Sequence, residues 1–232
     1  MKRIGLLGGL GPEATLDYYR EIINAFKSRD SSLNYPEIII YSVNMAEFLV
    51  MMNKKDYEKV IDYLLQKIEN MRKGGADFAA ISANTPHLVF DRLKKRSTLP
   101  LVSIVEAVCD EAIRLGFKRP ALLGTGFTMS GTFYQEVFNR NDIDLIIPDE
   151  EDRKVINEKL FTEIELGIFT KETRDLFVGI IQKMKQQRKI DSVILGCTEF
   201  PLLLTENEYA GLPMLNTTKI HVDAIADYCL KN

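Results

Sequence analysis

The stretch Val193-Ile194-Leu195-Gly196-Cys197-Thr198-Glu199 constrains this chain most, because an apolar strand ends there abruptly in Gly-Cys-Thr and delivers a thiol to a turn. About half a chain earlier the design recurs in Asp77-Phe78-Ala79-Ala80-Ile81-Ser82-Ala83-Asn84-Thr85-Pro86. An Asp, small or apolar residues and a small turn residue precede position 83, just as Asp191 and Val193 to Gly196 precede Cys197, and both segments run on into Thr and Pro. Two strand-to-turn units of one pattern suggest two half-proteins facing each other across a shared site. The echo fails in one place, where Ala83 stands opposite Cys197.

Composition narrows what such a chain can do. With 232 residues, 46% hydrophobic and 27% charged, there is enough material for two modest domains. A net charge of −3 and a pI near 5.6 offer no basic excess for nucleic acid or an anionic membrane, so small molecules are the expected partners. The longest apolar runs are strand-sized and glycines begin at Gly5, which argues against a signal peptide and for a cytoplasmic protein. Three cysteines without metal-like spacing and two histidines predict reduced thiols and no metal site.

Strand and helix signals alternate along the chain. Arg3 to Leu7 reads as a buried strand, broken by Gly8-Gly9-Leu10-Gly11-Pro12 before a helix with Pro12 at its first position. That loop is either an anion-binding backbone or a tight turn needing positive φ, and it matches neither the dinucleotide fingerprint nor a P-loop. Ile38-Ile39-Ile40 suits a central strand, with a loop from Asn44 to Lys55 after it. Tyr57 to Met71 carries an amphipathic stripe closed by Gly74-Gly75. Strands follow at Phe78 to Ile81, Pro100 to Ile104, Pro120 to Gly124, Ile143 to Ile147, the Cys197 strand, and Pro213 to Leu215. Helices are expected at Val105 to Leu115, Phe133 to Phe138, Asp149 to Leu166, Glu172 to Met184 and Thr217 to Leu230. This alternation predicts an α/β fold of mainly parallel sheets flanked by helices. The echo divides it into a first half of residues 1–100 plus 211–232 and a second of 101–210.

In such sheets functional groups collect at the carboxyl ends of strands, where both echoed turns fall. A thiol at a helix N-terminus feels the positive end of the dipole, so Cys197 is the candidate base or nucleophile with a pKa lowered toward neutrality. Asn84, Thr85, Thr125, Thr128 and Thr198 supply short donors that could together cradle a carboxylate, although each alone reads better as a helix cap. Cys109 and Cys229 read as packing thiols, and His87 and His221 as polar side chains that could also exchange a proton.

Four motifs in order resemble the aspartate/glutamate racemase family. They are Gly8-Gly9-Leu10-Gly11-Pro12-Glu13-Ala14-Thr15, Asn84-Thr85-Pro86-His87, Gly124-Thr125 with Thr128-Met129, and Gly196-Cys197-Thr198-Glu199. The resemblance implies two pseudo-symmetric α/β domains with the active site in the cleft between them, and cofactor-independent amino-acid racemisation, usually by a homodimer. One thiolate would remove the α-proton and an opposite thiol return one, with Asn84, Thr85 and Thr198 on the family's ligand turns. The chain departs where Cys, or Thr in some L-selective members, gives way to Ala83, which can neither remove nor donate a proton. An exchanged residue, a one-base lyase or isomerase using Cys197 alone, an acid recruited from elsewhere, and a catalytically impaired amino-acid-binding relative all stay open. Arylmalonate decarboxylase, a relative with a single cysteine, works one-sidedly. The Arg and Lys that hold a distal carboxylate in aspartate racemases fall here on Leu49, next to Glu47, and on Glu165. That points away from aspartate, with a neutral or basic amino acid standing level with an acidic one as substrate.

Overall fold

The computed structural model describes residues 1–30 and 32–231. The chain divides into two compact units, Met1–Ile104 joined by the carboxyl-terminal segment from His221, and Val105–Ile220. No helix among the described residues is long and apolar enough to cross a membrane.

The first unit runs β1 (Ile4–Gly8), α1 (Pro12–Arg29), β2 (Ile38–Ser42), α2 (Met45–Asn53), α3 (Tyr57–Lys73), β3 (Phe78–Ile81), a 3-10 helix (Thr85–Val89), α4 (Phe90–Arg96) and β4 (Leu101–Val102). Its strands are parallel in the order β2-β1-β3-β4. Every residue of β1 and β3 is buried, as central strands covered on both faces must be. Helix α1 starts with Pro12, whose missing N–H costs nothing there, and sets Tyr18, Ile22 and Phe26 against Ile4, Leu6 and Phe78.

The glycine turn after β1 proves to be a conformational device. Gly9 has φ +85°, and a Cβ there would lie 2.4 Å from the Val43 carbonyl oxygen. Its N–H donates to Thr15 Oγ1 at 2.9 Å, and that hydroxyl donates to Gly11 O at 2.9 Å, so the amide expected for an anion is spent internally. The expected loop from Asn44 to Lys55 is mostly α2. Asn44 Oδ1 accepts from Ala46 N at 3.0 Å and Glu47 N at 3.3 Å, capping a helix that the apolar run Met45 to Met52 hides from periodicity.

The second unit runs α5 (Ile104–Leu115), β5 (Pro120–Gly124), α6 (Gly126–Ser130), α7 (Phe133–Asn139), α8 (Glu150–Thr162), a 3-10 turn (Ile164–Leu166), α9 (Lys171–Arg188), β6 (Ser192–Gly196), α10 (Phe200–Leu203), β7 (Glu208–Tyr209) and β8 (Leu212–Asn216). The order is β5-β6-β8-β7, parallel except for the β7–β8 hairpin. Phe177 and Phe200 meet edge to face, 5.3 Å between centroids, in its core. The strand expected at Ile143 to Ile147 shrinks to one bridge, Ile146 with Ala121. Because β8 pairs with β6, the chain rejoins the first unit at His221 rather than at residue 211. Helix α11 (Thr217–Leu230) closes the chain, placing Val222, Ile225 and Ala226 in the first unit's core.

The echo in the sequence has a structural cause at its amino end. Asp77 Oδ2 accepts from Arg3 N at 2.7 Å, and the Arg3 guanidinium adds a second contact to Oδ1 at 3.0 Å. Asp191 Oδ2 likewise accepts from Lys118 N at 2.6 Å and Arg119 N at 2.8 Å. Each aspartate thus ties the start of its own strand to the start of the neighbouring one, β1 or β5. Asp191→Asn should therefore lower stability by about 1–3 kcal/mol, since charge-assisted bonds to two amides are lost. Urea unfolding measures this, and an unchanged midpoint would show that the aspartate holds nothing.

Candidate active site

Parallel pairing places β5 and β6 in register, with Gly124 opposite Gly196, so the turns that follow both strands leave the same sheet edge. A Cβ at Gly196 would come 2.6 Å from the Leu123 carbonyl oxygen, and one at Gly124 would come 2.9 Å from the Thr128 methyl. Small residues are required where these strands end. Thr217 Oγ1 donates to Leu195 O at 2.7 Å and pins the last turn of β6.

Cys197 emerges next and is buried, 4% exposed. Its thiol donates to Glu199 Oε2 at 3.0 Å and lies 3.9 Å from Glu165 Oε1. Thr198 Oγ1 donates to the same Glu199 oxygen at 3.1 Å. The ligating atoms of Glu165, Cys197 and Glu199 all lie within 4.8 Å of one another. Burial, then the Glu199 and Glu165 carboxylates, push the thiol well above its ordinary value. The expectation of a helix-activated, lowered thiol is thereby corrected. Helix α10 has only four residues and Glu199 stands at its amino end, so a weak dipole is outweighed by two carboxylates. Burial and Glu199 in turn push Glu165 up to about 8. Glu165 sits in the 3-10 turn after α8, and its Oε2 is buried with no hydrogen-bond partner.

Thr125 and Thr128 share a hydrogen bond, Oγ1 to Oγ1 at 3.1 Å, and Thr125 caps α6 through Thr128 N at 3.2 Å. The cap role that each threonine could have alone is the one Thr125 takes. Thr198 is engaged with Glu199, so the hydroxyls expected to form a cradle are bonded within the chain.

In the first unit, Ala83, Asn84 and Thr85 lead from β3 into the 3-10 helix, with Ala83 and Asn84 buried. Ser82 faces the core, its hydroxyl donating to Leu7 O at 3.2 Å and lying 3.3 Å from Thr15 Oγ1. His87 Nε2 accepts from Ile104 N at 3.3 Å, which leaves its proton on Nδ1, 3.1 Å from Ala83 O. His87 also stacks on Phe90 with centroids 4.4 Å apart. His221 Nε2 donates to Val102 O at 3.1 Å and Nδ1 accepts from Tyr18 Oη at 2.9 Å. Both histidines are satisfied, neutral structural groups. Burial lowers His87 to about 3 and His221 to about 4. Glu47 is exposed in the first turn of α2. Cys109 is buried in α5 and Cys229 donates to Lys2 O at 3.0 Å, both packing thiols.

Glu199 was not among the candidate residues of the sequence. Its signal was present: a carboxylate two positions after the thiol, directly before the apolar run Phe200-Pro201-Leu202-Leu203, is a charge forced into a buried segment.

A family model described as Asp/Glu/Hydantoin racemase matches residues 7–225. The chain belongs to that family. It is 23% identical over 218 residues to the broad specificity amino-acid racemase RacX of Bacillus subtilis, covering 93% of this chain and 92% of the relative. A solved candidate Asp/Glu racemase from Yersinia pestis superposes with TM-score 0.89 at 33% identity, covering both chains fully. An aspartate racemase homologue from Pyrococcus horikoshii OT3 gives 0.85 at 32%, again over both whole chains. The α/β fold with two sheets and the membership of a racemase family, expected from the motifs, both hold.

The titrating groups set the pH dependence of stability. Unfolded histidine takes a proton below about 6.5. The folded forms, lowered to about 3 and 4, do not, so stability falls as pH drops below 6.5. The loss should reach at most about 1.4 kcal/mol per pH unit per histidine. Glu165, raised to about 8, works oppositely and costs stability as pH rises from about 4.5 to 8. Denaturant unfolding across pH should show a flatter acid limb in His221→Gln and a flatter neutral-to-alkaline limb in Glu165→Gln. Unchanged limbs would mean these groups titrate alike folded and unfolded.

Proposed function

We propose that this chain is an amino-acid racemase, an isomerase that uses neither pyridoxal nor metal and works by thiol-mediated proton transfer at the α-carbon. The observation that carries the reading is Cys197, a buried thiol at a strand end, hydrogen-bonded to Glu199 at 3.0 Å in a chain of a racemase family. Cys197 as thiolate would take the α-proton from one enantiomer, or as thiol return it. Oriented donors at the turn that carries Cys197 and Thr198 would stabilise the enediolate-like charge that develops on the α-carboxylate. The same reading makes the enzyme a cytoplasmic homodimer that handles D-amino acids.

The substrate preference follows from charge. Glu165 and Glu199 stand beside the thiol, and among the described residues no cation pairs with Glu165. A second acidic side chain on the substrate would meet carboxyl groups and no pairing cation there, so a neutral or basic amino acid is favoured over aspartate. The likeness to a broad specificity amino-acid racemase fits this.

Ala83 favours a second reading, a one-base enzyme or binding relative, because the neighbouring Ser82 hydroxyl and His87 proton are both committed to backbone oxygens. Deuterated water separates the readings. A two-base racemase labels and inverts both enantiomers; a one-base enzyme exchanges the α-hydrogen of one without inversion; a binding relative does neither. Ala83→Cys should raise racemisation about 10²-fold or more, the usual contribution of a positioned acid or base. No increase would show that position 83 is not the missing partner. Cys197→Ser should abolish turnover while ligand binding, followed by calorimetry, remains.

A further inference from the structure

We propose that Glu165, Cys197 and Glu199 form a binding site for a thiophilic divalent cation such as Zn²⁺, taken up as an inhibitor and not as a cofactor. The site is assigned on geometry and charge; only its consequence for turnover rests on the racemase reading. Spacing in the sequence could not show it, because Glu165 lies 32 residues before Cys197.

The three side chains are placed to share one ion. Their ligating atoms all lie within 4.8 Å of one another. A tetrahedral cation about 2.3 Å from a thiolate and about 2.0 Å from a carboxylate oxygen holds those two atoms about 3.5 Å apart. The Cys197 sulfur lies 3.0 Å from Glu199 Oε2 and 3.9 Å from Glu165 Oε1, so each carboxylate need move only about 0.5 Å. The backbone delivers all three groups. Cys197 leaves β6, whose Leu195 carbonyl Thr217 holds, and Glu199 stands at the amino end of α10. The 3-10 turn Ile164–Leu166, closed by Gly167 at φ +75°, presents Glu165. Glu165 also has an oxygen to give. Its Oε2 is buried with no hydrogen-bond partner, a costly state for a carboxyl that a bound cation would relieve.

Charge selects the valence. Glu199 Oε2 accepts from both the thiol and Thr198, as a carboxylate does. Burial and Glu199 push Glu165 up to about 8, and the thiol is raised well above its ordinary value, so both carry their protons at neutral pH. The resting cluster therefore holds one negative charge. Replacing its two protons by one divalent cation keeps that charge: the S–H and O–H bonds break, both protons go to solvent, and the freed electron pairs on sulfur and oxygen bind the metal. A monovalent ion in the same exchange would bury a second negative charge. The neighbouring Glu163 is occupied by Lys159 and Thr173, so that lysine is not available to neutralise Glu165. A thiolate ligand favours Zn²⁺ or Cd²⁺ over Mg²⁺ or Ca²⁺, and three protein ligands leave a fourth position for water.

Titration of the metal-stripped protein with Cd²⁺, followed by the ultraviolet thiolate-to-cadmium charge-transfer band, tests this without substrate; Zn²⁺ competition then gives its affinity. The band should appear in wild type, Cys109→Ser and Cys229→Ser and vanish in Cys197→Ser, while Mg²⁺ should not compete. Glu165→Gln should weaken Zn²⁺ about 10- to 100-fold, and Glu165→His, which supplies a ligand again, should regain it. Because two protons leave, wild-type affinity should rise about 100-fold per unit from pH 6 to 7.5, against about tenfold in Glu165→Gln. No band in wild type, a band that survives Cys197→Ser, or equal affinity in wild type and Glu165→Gln overturns the proposal. Under the racemase reading Zn²⁺ should stop turnover and a chelator restore it. A band without racemisation sinks the racemase reading alone; racemisation with no band sinks this inference alone.

Discussion

The register of two adjacent parallel strands, fixed by one aspartate in each unit, is the constraint on which the rest of both units depends. Asp77 and Asp191 each bind backbone amides at the start of the next strand, and from there the chain runs a fixed length to its turn. With register set, Gly124 falls opposite Gly196 and Ile81 opposite Leu7, so Ser82 N can reach the Leu7 carbonyl at 2.9 Å. A slip of one residue would reverse every side chain and turn Cys197 and Ala83 toward the opposite face. The repeat in the sequence is therefore a repeat of a hydrogen-bonding device, and the chemistry at its far end was free to diverge.

Such a device is legible because it is local. Alternating strand and helix signals gave the parallel α/β layers, and the small residues before Cys197 gave the turn. What escaped was non-local or capped by a single side chain. Helix α2 was hidden because Met45 to Met52 is apolar nearly all round, and only Asn44 marks its start. The chain's return to the first unit was placed too early because β8 shows its partner only through pairing with β6. Glu165 stands where aspartate racemases, which the chain resembles, hold a lysine. Its contact with Cys197, over a separation of 32 residues, could not be read from spacing.

Charge around the thiol shows why position alone misleads. A cysteine ahead of a helix reads as activated, yet four residues of α10 cannot outweigh Glu165 and Glu199 within a dry cluster. The same carboxylates that raise the thiol also offer it the nearest acceptor.

The two turns then differ in kind. In the second unit the thiol, Thr198 and Glu199 form a chain of transferable protons. In the first, the two donors beside Ala83 are fixed to backbone: Ser82 on Leu7 O and His87 on Ala83 O, with Ile104 N–H on the remaining His87 nitrogen. His87, lowered to about 3 by burial, holds no second proton to give at neutral pH. No acid can thus be recruited from Ser82 or His87 without breaking the bonds that shape the Ala83 turn. A proton for the second face therefore needs a donor other than Ser82 and His87.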